Sequence, residues 1–308
     1  MLGRLAVWVL LAAFLLHAPA ARADKPPIID AHSQADKKID LEDIISLMDD
    51  AGVTRTILSA RSRRKPEDLT AFAARHPDRI TLAVRTKGQN VKQVKQQVKT
   101  RAYGAMAEVL MWHREKKKQS VTTATGETMA PPQVVMPPDH PKAQKLLKIA
   151  RKWKWPFIPH IEFASAGDDY APFMAKLEDQ MRRYPDHPFV LIHMGLLTFA
   201  EVKRLIEAHP NIHFIPAHSD PLSVAKYDAP FTEMFSGRVL APQWKDLIVR
   251  HKDRFIIGFD MVWSHEWKKF YLDEVTYWRD ALADLPEDVA HAVAHRNAER
   301  LWRLPPAK

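Results

Sequence analysis

The sequence predicts an α/β protein, a single-domain (β/α)8 TIM barrel that follows an N-terminal signal peptide. Short apolar runs, typical of buried parallel strands, alternate along the chain with segments of helical periodicity. No Gly-rich phosphate loop follows a strand, although an open doubly wound sheet would usually carry one. The repeated alternation without such a loop favours a barrel over an open sheet.

Each predicted element has bounds that the sequence supports. The predicted strands are Pro27–His32, Val53–Ala60, Arg79–Arg85, Tyr103–Met111, Pro156–Ile161, Phe189–Met194, Ile212–Ala217 and Arg254–Asp260. The predicted helices are Asp40–Ala51, Pro66–His76, Asn90–Arg101, Pro141–Trp153, Tyr170–Tyr184, Thr198–His209, Pro242–His251, Phe270–Leu285 and Glu287–Trp302. Asp40 is a favourable N-cap, and Gly52 can end the first helix in the left-handed conformation. Pro66 and Pro141 suit first helical positions, where a backbone N–H would be unpaired.

Residues 1–23 are predicted to form a cleaved secretory signal. Arg4 precedes an apolar run from Leu5 to Leu16, and Ala21-Arg22-Ala23 has the small-x-small pattern of a cleavage site. An uncleaved anchor is the alternative, but the run is short for a membrane span of about 20 residues. We therefore expect residues 24–308 to be a periplasmic or secreted barrel domain without stable membrane insertion.

The composition restricts the expected partners. The chain has no cysteine, so no disulfide supports it in an oxidising compartment. Its formal charge of +9 becomes +7 when the signal is removed with its two arginines. Basic residues are dispersed, apart from clusters at Arg61–Arg64, Arg114–Lys118 and Lys142–Lys154, which favours a solvated surface over a nucleic-acid interface. We expect a small-molecule substrate and no nucleic acid, and a homo-oligomer stays open.

Four polar residues end four separate apolar runs: His32, His160, His193 and Asp260. The carboxyl ends of parallel barrel strands meet at one rim, so these side chains are expected to converge. A single histidine at a strand end is usually a structural hydrogen bonder. Three imidazoles and a carboxylate at one rim instead predict a metal site with catalytic potential.

Several segments carry a family resemblance. They are Ile28-Ile29-Asp30-Ala31-His32, Pro159-His160, Ile192-His193-Met194-Gly195, Ile257-Gly258-Phe259-Asp260 and the tail Arg296-Asn297-Ala298-Glu299-Arg300-Leu301-Trp302. In this order the chain resembles the amidohydrolase-related family of metal-dependent hydrolases, within the amidohydrolase superfamily. The resemblance implies a metal-dependent barrel enzyme. The family usually has His-x-His on the first strand, whereas this chain has His32-Ser33-Gln34. Glutamine is a weak oxygen donor to transition metals, so one bound ion is favoured over two.

Other polar residues are expected around this rim. Glu108 interrupts the apolar fourth strand, where an unpaired carboxylate is costly. The Gly-x-x-x-Glu pattern around it is similar to the bridging glutamate of TatD-like nucleases in the same superfamily; a barrel Arg or Lys partner is the alternative. His218 ends the seventh strand and is a candidate substrate ligand or acid. Arg61 suits an anionic substrate group, unless it lies in a solvated loop, and Trp263 is placed to wall the pocket.

Two long connections after strands, Trp112–His140 and Ser219–Ala241, are expected to shape the same rim. Trp112, His113 and Arg114, at the start of the first connection, are expected to face the pocket, and a solvated insertion is the alternative.

These residues lead to a functional hypothesis and its rivals. Metal ligands are predicted to be His32, Glu108, His160, His193 and Asp260, with Zn²⁺ the favoured divalent ion. Asp260 would be the general base, and His193 would polarise the scissile carbonyl of a small ester, lactone or amide. A metal-independent lactonase or decarboxylase on the same barrel is the first rival. A non-catalytic binding protein with a degenerate site is the second.

Overall fold

A curled parallel sheet surrounded by helices is the centre of the computed structural model, which describes residues 25–115, 121–122, 128–129, 132–227 and 229–307. The predicted signal at residues 1–23 and part of the Trp112–His140 connection lie outside the described residues. The strands are β1 (Ile28–Ala35), β2 (Val53–Ala60), β3 (Ile80–Val84), β4 (Ala105–Met106), β5 (Val109–His113), β6 (Val121–Thr122), β7 (Thr128–Met129), β8 (Val134–Val135), β9 (Pro159–Ile161), β10 (Phe189–Ile192), β11 (Ile212–Ile215), β12 (Phe235–Ser236) and β13 (Val239–Leu240). The helices are α1 (Leu41–Ala51), α2 (Pro66–Arg75), α3 (Val91–Lys99), α4 (Pro141–Trp153), α5 (Tyr170–Arg183), α6 (Phe199–Ala208), α7 (Pro221–Lys226), α8 (Pro242–Arg250), α9 (Ser264–Lys269), α10 (Tyr271–Ala283), α11 (Glu287–His291) and α12 (Asn297–Trp302).

The main strands run parallel in chain order. β1 to β4 pair in sequence, β5 pairs with β9, and β10 pairs with β11. Residues 255–261 bond to both sides: Ile256 N donates to Phe214 O at 3.0 Å, and Asp260 N donates to His32 O at 2.7 Å. The last segment of the sheet therefore lies beside its first strand.

Most predicted elements are observed within a residue or two of their predicted bounds. The strand Val53–Ala60 and the helix Pro141–Trp153 have the predicted bounds. Asp40 caps α1 by accepting a hydrogen bond from Glu42 N at 3.1 Å. Gly52 ends that helix with φ of 68°, where a side chain would be strained.

Two predicted strands have bounds that are wrong by three residues: Pro27–His32 continues to Ala35, and Pro156–Ile161 begins only at Pro159. Three further predicted elements are irregular or divided in the structure. Arg254–Asp260 is not a regular strand, because side chains of β1 replace ladder partners: Phe259 N donates to Asp30 Oδ1 at 3.0 Å. Tyr103–Met111 divides into β4 and β5 at Glu108. Before Glu108, Ala107 N donates to Val84 O of β3; after it, Val109 N donates to Ile158 O, just before β9. The last helix, Glu287–Trp302, contains a π-helical turn at Ala292–Arg296.

Alternate strand residues build two apolar layers. Buried residues on the inner face of the sheet include Ile29, Ile57, Ile158, Val190, Ile215 and Ile256. Their neighbours in sequence point outward and pack against the helices; they include Ile28, Leu58, Phe157, Leu191, Phe214 and Ile257. This two-residue period fixes which strand-end side chains face the centre of the carboxyl rim.

Among the residues that the structure describes, none of the helices combines the length and the apolar character that crossing a membrane requires.

Candidate active site

The predicted strand-end residues meet at the carboxyl rim of the sheet. Asp260 is central: its Oδ1 lies 3.4 Å from His32 Nε2, and its Oδ2 lies 3.3 Å from His193 Nε2. The ring of His160 lies 5.2 Å from that of His193. All four side chains are at least nine-tenths buried. Residues separated by more than two hundred positions therefore form one cluster.

Glu108 links the two sides of this cluster. Its Oε2 lies 2.6 Å from His160 Nδ1, a short charge-assisted contact. The alternative partner predicted for this carboxylate, an arginine or lysine, is not its ion-pair partner among the described residues. The contact with the His160 imidazole offsets the free-energy cost of burying the Glu108 carboxylate.

Gln34 stands between the two carboxylates. Its Nε2 donates to Asp260 Oδ1 at 3.1 Å and lies 3.3 Å from Glu108 Oε1. Arg61 Nη1 donates to the amide oxygen of Gln34 at 3.2 Å. Because the guanidinium can only donate, it fixes the amide with its NH2 group toward the carboxylates. Arg61 therefore lies at the rim as predicted, but its observed partner is Gln34.

His218 lies on the other side of Asp260, with Nε2 3.8 Å from Asp260 Oδ2. Its Nδ1 lies 3.8 Å from Glu274 Oε2, a carboxylate on α10 that is only 1% exposed. The ring of Phe231 lies 5.1 Å from the rings of both His193 and His218. An aromatic wall therefore covers the two imidazoles.

Trp263 is half-buried at the same rim, and the guanidinium carbon of Arg61 lies 5.1 Å from its ring centre. The arginine and the indole form a cation–π pair at the edge of the site.

The backbone is left-handed at three site residues. His193 has φ of 52°, His218 of 62° and Asp260 of 48°, and Met194 beside His193 has φ of 51°. For residues other than glycine this conformation costs about 1–2 kcal/mol each. Such strain concentrates at functional sites, where the surrounding structure maintains it. Here the left-handed backbone directs these strand-end side chains toward the centre of the rim.

Charges in the cluster shift the pKa values in opposite directions. Burial alone would raise the pKa of Asp260, but His193 and His32 outweigh it and hold the pKa well below its usual value. Burial opposes protonation of His160, yet Glu108 and Glu162 raise its pKa to about 9. The pKa of His193 is lowered by burial and by the nearby His218. The site thus holds an ionised carboxylate beside a neutral imidazole.

The donor set fits a divalent cation. One group of potential ligand atoms comes from His32, Glu108 and Asp260, and a second comes from Glu108, His160 and His193; atoms within each group lie within 4.8 Å of one another. The buried Nε2 atoms of His32 and His160 make no hydrogen bond. Mixed imidazole and carboxylate ligands suit Zn²⁺ and related ions.

Two site carboxylates were not predicted from the sequence. Glu162 lies 3.5 Å from His160 Nε2 and 3.5 Å from His113 Nε2, and its Oε2 accepts a hydrogen bond from Arg114 N. Its spacing of two residues from His160 puts both on one face of an extended segment, a usable signal. Glu274 had no such signal, because its proximity to His218 arises only from helix packing. His113, a predicted pocket residue, lies beside His160 with ring centres 5.1 Å apart.

Comparisons with known proteins agree with this fold. A family model described as amidohydrolase matches residues 15–304. An uncharacterised TIM-barrel protein from Bordetella bronchiseptica is 17% identical with a TM-score of 0.56, over 90% of this chain and 99% of its own. A protein described as an amidohydrolase II is 14% identical with a TM-score of 0.53, over the same shares. At these identities the likeness concerns the fold alone. None of the curated proteins compared with the chain matches it.

Proposed function

We propose, from the premise that the chain belongs to the amidohydrolase family, that it is a metal-dependent hydrolase of a small ester, lactone or amide. The observation that carries this proposal is the buried cluster at the carboxyl rim. Asp260 is within 4 Å of three imidazoles, and Glu108 joins His160 to the same cluster. Family membership supports a hydrolase or a related activity in general; the metal, the substrate class and the residue roles are the proposal.

Two further proposals concern the completeness of the barrel and the cellular location of the protein. We propose that the curled sheet is a complete (β/α)8 barrel, which the bonds of residues 255–261 to β11 and β1 support. We also propose export, with residues 1–23 as the signal. N-terminal sequencing of the protein from the periplasm or medium tests this, and an intact Met1 would contradict it.

His32, Glu108, His160, His193 and Asp260 would hold one divalent ion, with Zn²⁺ favoured. When bound, such an ion lowers the pKa of water and polarises a carbonyl. Asp260 is ionised because its imidazole neighbours hold its pKa low, so it can accept a proton from water. Its Oδ2 lies within 4 Å of His193 and His218, so the leaving group would take up this proton on that side of the site. His193 Nε2 would orient the scissile carbonyl.

The substrate would lie against the outer part of the rim. Phe231 offers an apolar face over His193 and His218, and Trp263 with Arg61 forms another edge of the site. An aromatic surface beside a guanidinium suits a small substrate with one apolar and one polar or anionic end.

The experiment measures metal content and hydrolysis of a panel of lactones, esters and amides. The wild-type chain is compared with Asp260→Asn, and with Asp246→Asn, which removes an exposed carboxylate on α8. We expect Asp260→Asn to lower kcat/KM by about 10²–10⁴-fold, as loss of a general base usually does, while Asp246→Asn has wild-type activity. Undiminished activity in Asp260→Asn would remove Asp260 from this role.

One observation favours a second candidate, the metal-independent lactonase or decarboxylase. The Gln34 amide already donates to Asp260 and Glu108, two of the carboxylates that would hold the cation. Treatment with a chelator separates the two proposals. Loss of turnover that added Zn²⁺ restores supports the metal-dependent hydrolase, whereas full turnover after chelation, or evolved CO₂, supports the second candidate.

A further inference from the structure

A basic cavity lies at the opposite end of the sheet from the candidate active site. Its volume is about 550 Å³, within the usual range of small-ligand sites. It is formed where α4, α5 and α12 end and where β10 begins. Five basic side chains and one acid line it: Arg151, Lys154, Arg183, Arg300, Arg303 and Asp186. Two of these residues, Arg151 and Lys154, belong to the basic cluster Lys142–Lys154, which the proposed function does not use.

Helix ends alone do not account for this charge. The carboxyl ends of three helices contribute about −0.5 each, so basic residues are favourable there. Of the lining cations, only Arg183 has an ion-pair partner within 4 Å among the residues that the structure describes, namely Asp179 at 3.1 Å. The formal positive charge of the lining therefore exceeds the partial charge of the helix ends, and this surplus favours an anion.

A buried imidazole lines the same cavity. His187 is only 8% exposed, and its Nε2 has no hydrogen-bond partner. Burial, with Arg151 nearby, lowers its pKa to about 4, so the ring is neutral at pH 7 and can donate one N–H. A buried polar atom without a partner costs about 1–3 kcal/mol, which a ligand acceptor would recover once the ring turns this atom toward the cavity.

We propose that this cavity binds a small multivalent oxyanion, a phosphate ester or a polycarboxylate, with His187 at its floor and the arginines and lysine at its rim. Arg151 is held in place by stacking, with its guanidinium carbon 3.9 Å from the ring centre of Tyr184. Guanidinium groups bind two oxygens of phosphate or carboxylate at once, which suits both ligand classes. The cavity is separate from the catalytic rim, so this proposal is independent of the proposed reaction.

The test is calorimetric titration of the full chain with pyrophosphate and, separately, with citrate. The double variant Arg151→Gln with Lys154→Gln removes two lining charges. The control, Lys148→Gln with Lys152→Gln, removes the same charge from exposed positions of α4 outside the lining. We expect saturable one-site binding that weakens at least about tenfold in the lining variant and stays within twofold of wild type in the control.

A second variant tests the role of His187 at the floor of the cavity without changing the charge of the lining. His187→Leu should weaken binding of the same anion, with the melting temperature recorded to confirm folding. Which of the two anions binds identifies a phosphate or a carboxylate ligand, and either supports the proposal. Absence of binding, equal loss in both double variants, or binding that survives in the lining variant would overturn it. Cosedimentation with phosphatidylglycerol vesicles is run in parallel, and binding to vesicles without binding of either free anion would also overturn it.

Discussion

The two ends of the sheet place histidine in opposite electrostatic surroundings. At the carboxyl rim, Glu108 raises the pKa of His160 to about 9 against the effect of burial. At the amino end, burial and neighbouring arginines lower the pKa of His187 to about 4 and of His213 to about 3. Both sets of rings are buried, so burial does not distinguish them. The sign of the neighbouring charges separates His160 from His187 and His213, and it is consistent with the cation proposed at the rim and the anion proposed at the amino end.

The largest expected effect comes from removing negative charge at the rim. In Glu108→Gln, His160 loses the carboxylate that lies 2.6 Å from its Nδ1, and the cation loses a proposed ligand. We expect kcat/KM and metal affinity to fall by about 10- to 100-fold, since partners of metal-site groups commonly contribute this much. Steady-state kinetics and metal analysis measure both. Glu67→Gln, an exposed change in the first turn of α2, is the control, and a fully active Glu108→Gln would contradict the assignment.

A change in metal stoichiometry should follow from replacing Gln34. Its amide donates to Asp260 and Glu108 where a second imidazole would coordinate. We expect about one ion per chain in the wild type and about two in Gln34→His, because imidazole is a much better ligand. Elemental analysis after dialysis against Zn²⁺ measures this. Gln144→His is the control, because its amide donates to Pro138 O and Gln180 Oε1 and to none of the proposed metal ligands. Two ions in the wild type would contradict the expectation.

His213, at the amino end of the sheet, should cause part of the loss of folding stability at low pH. The folded pKa of His213 is about 3, below the ordinary value of about 6.5. The unfolded chain therefore binds this proton first, so stability is fully present above pH 6.5 and is lost as the pH falls toward 3. This group contributes a loss of about 1.4 kcal/mol per pH unit within that window. The free energy of unfolding is measured with urea at several pH values between 6.5 and 5. Its dependence on pH should have a shallower slope for His213→Leu than for the wild type.

His265→Leu, a change of an exposed histidine on α9, is the matched control and should keep the wild-type slope. Equal slopes for the wild type and His213→Leu would show that His213 titrates alike in the folded and unfolded chain.

The smallest expected effect concerns the wall of the rim. Phe231 lies 5.1 Å from the rings of His193 and His218. Aromatic contacts of this kind contribute about 0.5–1.5 kcal/mol, so Phe231→Ala should raise KM by about 2- to 10-fold with little change in kcat. Leu272→Ala, at a position that is 40% exposed, is the control. An unchanged KM for every hydrolysed substrate would place the substrate away from this wall.

Local sequence predicts much of the fold and the centre of the site. The bounds predicted for Val53–Ala60 are confirmed, because Gly52 ends the helix before it and nearly all of its residues are buried. His32, His160, His193 and Asp260 were predicted to meet because parallel strands end at one rim. The irregular segment 255–261 could not be predicted, since its partner Asp30 is a side chain far away in the sequence. Glu274 was missed for the same reason: the packing of α10, rather than any local pattern, brings it to His218.

The left-handed backbone at His193, His218 and Asp260 has a consequence for how the protein can evolve. Glycine adopts this conformation without strain, so replacement at any of these positions would relieve it and remove a reactive side chain at the same time. A laboratory selection for heat resistance alone would therefore meet two opposed effects at these positions: relief of the backbone strain, and loss of the buried contacts between Asp260 and the imidazoles.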